Sequence, residues 1–363
     1  MVTVLKDVYN KEFILHLGNN IHQLYEDFNV DSFQDSIFVT DWTNKGLKER
    51  MRHITTCLYT FLPSDYQKSI TILQTIAPKF SNQPLAAIIF SDFVAVYGLE
   101  HWQISLSALE CLTQYSTSEY AVRPFIQRAP DQMVQQMLQW SMHPNHHVRR
   151  LSSEGIRPRL PWAIALQRFK FDPYPIIPIL DNLKEDTSLY VRKSVANNLN
   201  DISKDHPTLV LDLTEKWIGN HIYTDWILKH ACRSLLKKGD TRALSLFGFS
   251  GTSNVQVTNL KLDKNTIFIG GKLFFSLQIT GALDPSLLRI EYAIHFMKAR
   301  GERSQKNFKV AESILYPEKN LSYHKSHSFK DLTTRKHYEG THTLSILING
   351  EVKASTEFYL KMN

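Results

Sequence analysis

Up to about residue 250 the chain places its apolar residues at helical spacing. Leu106, Leu109 and Leu112 form one such series, and Met133, Val134, Met137 and Leu138 another. Leu209, Leu211 and Leu213 with Trp217 form a third. Prolines 63, 84, 130, 144 and 207 fall between these segments, where they suit helix starts and turns. Past residue 250 the period shortens to that of strands. VQVTNLKL, TIFIGGKLFFSLQI, LRIEYAIHF, FKVAESIL, HTLSILI and EVKASTEFYL are short runs rich in β-branched and aromatic residues, with turn residues between them. GFSGTSN, residues 248–254, reads as a flexible Gly/Ser-rich linker. About six or seven strands in so short a stretch predict an immunoglobulin-like β-sandwich. The pattern therefore predicts a multidomain α plus β chain. Its parts are a helical-repeat domain over 1–247, a linker over 248–254 and the sandwich over 255–363.

The helical part repeats. HHVRRLSSEG at 146–155 aligns with LYVRKSVANN at 189–198, and DWILKHACRSLLKKG at 225–239 resembles a third copy. A period near 40 residues with a V-R/K core marks HEAT-like helix pairs, which stack into an α-solenoid. Stacking would align Arg149, Arg192 and Lys229 as a basic ladder on one face. The competing reading is that these cations cap or bridge the repeats.

Charge sharpens this picture. The net charge of +7 is unevenly spread: residues 1–140 carry −4, residues 141–250 carry +5 and residues 251–363 carry +6. A polyanion partner such as DNA accounts for that asymmetry, and so does plain solubility. No run of 18 apolar residues occurs, so no membrane span is expected. The N-terminus lacks a signal-peptide core. Cys57, Cys111 and Cys232 are too scattered for a disulfide framework or a CxxC metal pair. Free thiols in a reducing cytoplasm are the expectation. His143, His146 and His147 lack a Cys partner or HExxH spacing, so no metal and no other cofactor is expected.

The densest chemistry lies in HPNHHVRRLSSEGIRPRLPWA, residues 143–163. A single acid, Glu154, sits among Arg149, Arg150, Arg157 and Arg159, with Trp162 just beyond Pro161. The prolines forbid a simple continuing helix and force a shaped turn. Upstream, TSEYAVRPF carries Glu119 with Arg123 four residues on, a spacing that suits an ordinary helical ion pair. Downstream, Asn197, Asn198, Asn200 and Asp201 lie beside Arg192 and Lys193. Asparagines there suit phosphate or base-edge contacts, or helix-to-helix hydrogen bonds. Phosphate-loop, dinucleotide and acyl-transfer motifs are lacking.

These segments, together with RMRHITTCLYTFLP (50–63), VRKSVANNLNDISKDHP (191–207) and ILKHACRSLLKKGD (227–240), resemble the AlkC-type DNA alkylation-repair glycosylases of the AlkD-like, HEAT-like superfamily. The resemblance covers nearly all of residues 1–245, and SEGIRPRLPWA is its most specific string. The tail fits a branch with a C-terminal immunoglobulin-like domain by architecture alone. The resemblance implies an enzyme acting on double-stranded DNA; no lysine stands out as a Schiff-base nucleophile, so a monofunctional enzyme is expected, cytoplasmic and monomeric. The resemblance also implies excision of cationic alkylated bases, chiefly N3-methyladenine and also N3-methylcytosine, without a deep base-flipping pocket. By the same carry-over the acids are Glu119 and Glu154 and the ring is Trp162. Arg123, Arg149, Arg157, Arg159, Arg192 and Arg233, with Asn197 and His230, are expected on the DNA side. The alternative is a HEAT scaffold that binds nucleic acid or a protein without chemistry.

Overall fold

The computed structural model describes residues 5–250, 252–332 and 336–362. Among these, sixteen α-helices precede eight strands, the α plus β order that the pattern predicts. The apolar periodicity is realised directly. Leu106, Leu109 and Leu112 are all buried on helix Trp102–Leu112, and Met133, Val134 and Met137 on helix Pro130–Trp140. Pro130 and Pro207 each open a helix, where a missing N–H costs nothing. No helix among the described residues is long and apolar enough to cross a membrane.

The described residues form two compact units. One comprises the chain up to Asp205 together with Gly219–Ile227; the other comprises His206–Ile218 and the chain from Leu228 onward. In the first, the two clearest repeats are packing neighbours: helix His146–Glu154 lies against helix Leu189–Ile202. The Asn198 amide donates to the Ser153 carbonyl at 2.8 Å and ties them together. The repeated arginines do the same local job in both copies. Arg149 donates to the carbonyls of His143 and Pro144, and Arg192 to those of Asp186 and Thr187, in each case six and five residues back. Arg149 also pairs with Asp186, and Arg192 lies over the Tyr223 ring at 3.9 Å. The expected basic ladder is thus a repeated cap on the turn before each helix. Lys229, its third rung, pairs instead with Glu312 at 2.5 Å in the second unit.

The second unit holds strands β1 (Gln256–Leu262), β2 (Thr266–Phe268), β3 (Lys272–Thr280), β4 (Ser286–Met297), β5 (Arg303–Leu315), β6 (Leu321–Ser328), β7 (Gly340–Ile348) and β8 (Glu351–Lys361). They make a three-stranded sheet in the order β1-β3-β6 and a five-stranded sheet in the order β2-β8-β7-β4-β5. Alternate residues of β3, from Leu273 through Phe275 and Leu277 to Ile279, join one core with Ile290, Ile294, Leu344 and Ile346. Two details differ from the sequence pattern. TIFIGGKLFFSLQI is two strands, because the chain changes sheet at Gly270, whose φ of +92° only glycine adopts freely. The strand β6, LSYHKSHS, is too polar to read as one, yet it pairs along the length of β3.

The segment 248–254 was expected to be a flexible linker. The last helix ends at Leu246 and β1 begins at Gln256, but the chain between them is anchored. Phe249 is buried beneath Lys229, its N–H bonds the Leu244 carbonyl at 2.9 Å, and Thr252 bonds Glu351 and Lys353. Helix Arg233–Lys238 belongs with the strands as well, since Asn307 of β5 donates to the Lys237 carbonyl at 2.8 Å.

Candidate active site

Glu154 is the last residue of helix His146–Glu154. Gly155 follows because a Cβ there would sit 2.6 Å from Val122 Cγ2, a distance that no side chain tolerates. The chain then winds through Pro158 and Pro161 to Trp162. Arg123 staples this loop from beneath. It is 2% exposed, and its donors go to the carbonyls of Gly155, Arg157 and Ile164. Burial and the neighbouring Arg157 hold its guanidinium down to about 10. It was expected to pair with Glu119 and grip phosphate; a guanidinium buried on three carbonyls can do neither.

Glu119 lies in the irregular stretch before helix Val122–Arg128, so the expected helical pairing with Arg123 does not form. Its Oε2 instead accepts from Thr117 at 2.7 Å and from Arg150. Arg150 comes from the same helix as Glu154, and its other terminal nitrogen lies 3.6 Å from Glu154 Oε1. One guanidinium thus joins the two acids. Burial opposes its charge, but Glu119 and Glu154 outweigh that, and its pKa rises above the ordinary arginine value. Tyr190 lies under it at 4.9 Å. Arg157 donates to Glu154 Oε1 at 2.6 Å and to Asp201 at 2.9 Å, and is itself buried. The expected phosphate clamp at Arg157 is therefore an internal bridge between two carboxylates.

Such a network is stable only while complete, since removing one partner of a buried pair strands the other at a cost of about 3–5 kcal/mol. It also fixes direction. Both guanidiniums converge on Oε1 of Glu154, and Oε2 accepts no hydrogen bond among the described residues. Glu154 and Glu119 are only 6% and 7% exposed, whereas Trp162 is 59% exposed. Trp162 has φ +64°, a left-handed conformation that costs a residue other than glycine about 1–2 kcal/mol. Its carbonyl receives the Lys48 ammonium. A strained backbone that presents an indole to solvent is not explained by core packing.

Glu119, Tyr120 and Trp162 also wall a cavity of about 320 Å³ in the first unit. Burial, with Glu119 and Glu154 adding to it, pushes the Tyr120 hydroxyl up to about 12. Asp92 lines the same cavity, gripped by Arg52 at 2.8 and 2.9 Å and by Thr55 at 2.8 Å. Sequence reasoning passed over Asp92, Tyr120 and Tyr190, and noted Asp201 without its partner Arg157. The one available signal was Asp92, a lone acid in the apolar run IIFSDFVAV.

The remaining candidates are dispersed. Arg159 stays at the surface, paired with Asp205 at 2.6 and 3.0 Å. Asn197 is half-buried on helix Leu189–Ile202. His230 and Arg233 belong to the second unit, where Arg233 donates to the His230 carbonyl at 2.6 Å.

Helix-pair repeats, an immunoglobulin-like sandwich and a carboxylate–guanidinium cluster beside a solvent-facing indole define a helical-repeat protein with a polar site in its first unit. Comparison with known proteins makes the class specific. Residues 256–362 match the family described as "Uncharacterised protein YhaZ, C-terminal Ig-like domain". The chain is 52% identical over 354 residues to the Bacillus subtilis (strain 168) protein "Uncharacterized protein YhaZ", covering 98% of both chains. It is similar to a solved structure of Pseudomonas fluorescens alkylpurine DNA glycosylase AlkC bound to DNA containing an abasic site analog. There the TM-score is 0.95 and the identity 36%, covering 99% of this chain and 100% of the other. The chain belongs to the AlkC family.

Proposed function

We propose that this protein is a DNA glycosylase of base excision repair. It hydrolyses the N-glycosidic bond of cationic alkylated bases in duplex DNA, N3-methyladenine foremost and N3-methylcytosine also. The similar Pseudomonas fluorescens protein is named an alkylpurine DNA glycosylase and is bound to DNA containing an abasic site analog, which supports the reaction class and the partner. The observation that carries the mechanism is Glu154, fixed through Oε1 by two arginines with Oε2 left open.

Alkylation at N3 gives the base a positive charge, so it departs without being protonated. The difficulty is the oxocarbenium-like sugar that remains. A pre-oriented carboxylate stabilises that cation as charge develops, as in glycoside hydrolysis. Glu154 Oε2 faces the sugar and positions the water. Glu119 adds negative charge through the shared Arg150, and Trp162 stacks on the cationic nucleotide with a gain of about 0.5–2 kcal/mol. No lysine is assigned as a Schiff-base nucleophile, so the enzyme is monofunctional, and it acts as a monomer.

Incubating the full-length protein with methylated duplex DNA and measuring released base tests the reading. Free N3-methyladenine should appear and leave an unnicked abasic site. Uracil, hypoxanthine and 8-oxoguanine should stay in place, because no general acid is assigned to a neutral leaving base. Protein that binds the duplex but releases no base would make it a scaffold.

A further inference from the structure

The cavity behind the carboxylate cluster has a composition that the bond-breaking step does not require. Besides Glu119, Tyr120 and Trp162, its apolar wall includes Leu47, Met51, Leu85, Ile88, Ala95 and Pro124. Its ionic groups are already engaged: Glu119 with Arg150, Asp92 with Arg52, Lys48 on the Trp162 carbonyl, and Arg123 on the carbonyls of Gly155, Arg157 and Ile164. The cavity is therefore mainly apolar, its three cations and two carboxylates all partnered, with neutral hydroxyls at Tyr9 and Tyr120. Burial, with Asp92 adding to it, raises Tyr9 well above the usual phenol value, so both hydroxyls remain donors. Its 320 Å³ lies at the lower end of small-ligand sites, which run from about 300 to 1,000 Å³, and suits one ring system better than a nucleotide.

A cationic alkylated base in DNA would not choose such a place. Its released form would. When the bond from C1′ to the ring nitrogen breaks, both electrons pass to the base and cancel its charge. The water oxygen then bonds to C1′, and its proton passes to solvent or a carboxylate. The leaving group becomes a neutral planar heterocycle beside the wall that carries Glu119, Tyr120 and Trp162. We propose that this cavity is the product site, which takes up the neutral alkylated base after cleavage. The carboxylates select the charged substrate and the cavity accepts the uncharged product. This rests on the glycosylase reading above.

The test uses the full chain without DNA and free 3-methyladenine as the probe. Titration should show saturable one-to-one binding with Kd of roughly 0.1–1 mM, as befits so small a ligand. The Met51 ε-methyl resonance should shift with the same dependence, while that of exposed Met142 stays put. Ala95→Phe, which fills the cavity from helix Ile88–Tyr97, should weaken binding at least tenfold. Absence of saturable binding to the wild-type protein overturns the proposal. So does binding that leaves Met51 unmoved, a readout that needs no variant to fold. Base release from methylated duplex is measured on the same preparation. Release without probe binding overturns the cavity alone; no release overturns the glycosylase reading, whatever the cavity binds.

Discussion

Glu119 and Glu154 stand 35 positions apart in the chain, one in an irregular stretch and one at a helix end, yet both lie against the guanidinium of Arg150. In low dielectric two carboxylates repel unless a cation lies between them. Arg150 and Arg157 supply that cation at rest and aim Glu154 by one oxygen.

Glu154→Gln should bind alkylated duplex normally and lose excision. The amide keeps the shape and an acceptor for Arg157 but not the charge. The expected fall in single-turnover rate is about 10²–10³-fold. A rate within a few-fold of wild type would remove Glu154 from the mechanism.

Trp162→Gly should separate stability from function. Glycine relieves the left-handed strain at φ +64°, worth about 1–2 kcal/mol, and gives back about 0.5–1 kcal/mol in chain entropy. The side chain is mostly exposed, so little packing is lost. The melting temperature should therefore hold or rise slightly while excision drops. A melting temperature several degrees lower would mean that the indole supports the fold.

Acid should weaken the second unit through His342. Burial holds its pKa below the ordinary histidine value, with Arg303 adding to this and the Gly340 carbonyl opposing it. The ring bonds that carbonyl through Nδ1 and accepts the Met297 N–H at Nε2, so it must stay neutral to keep both bonds. Below the unfolded value of about 6.5 the unfolded chain takes up a proton that the folded chain refuses. The stability is complete above that pH and is lost as pH falls towards the depressed folded value. Calorimetry at pH 8, 6 and 5 should show the loss, and His342→Phe should flatten it. An equally steep loss in the variant would assign the effect elsewhere.

A fragment of residues 1–250 should melt earlier than the full chain and aggregate. The cut removes Glu312 from Lys229 and Asn307 from the Lys237 carbonyl, and it strips the anchors from the segment after Leu246. Melting and size-exclusion profiles read this directly. A fragment as stable as the parent would show that the late helices stand without the sandwich.

Local periodicity carried much of the architecture, because helices such as Trp102–Leu112 and Pro130–Trp140 bury one face and β3 buries alternate residues. It missed β6 because pairing with β3 holds a polar strand that its own side chains would not announce. Motif likeness singled out Glu119, Glu154 and Trp162, and the first two are brought together around one arginine. The partners were less legible. Arg123 and Arg157 read as surface cations because sequence shows charge but not depth, and both are buried on internal acceptors. Asp92 and Asp201 lie far along the chain from the groups they serve, so no spacing rule points to them.

The exposure of Trp162 also gives the protein an optical reporter. Trp42, Trp140 and Trp217 are buried, while Trp162 is the most open of the exposed large side chains of its type. Its emission forms the red edge of the protein's fluorescence and is the part that a soluble quencher such as iodide reaches first. Engagement of a duplex at the site would then register as a blue shift and a loss of quenching, in real time and without a label.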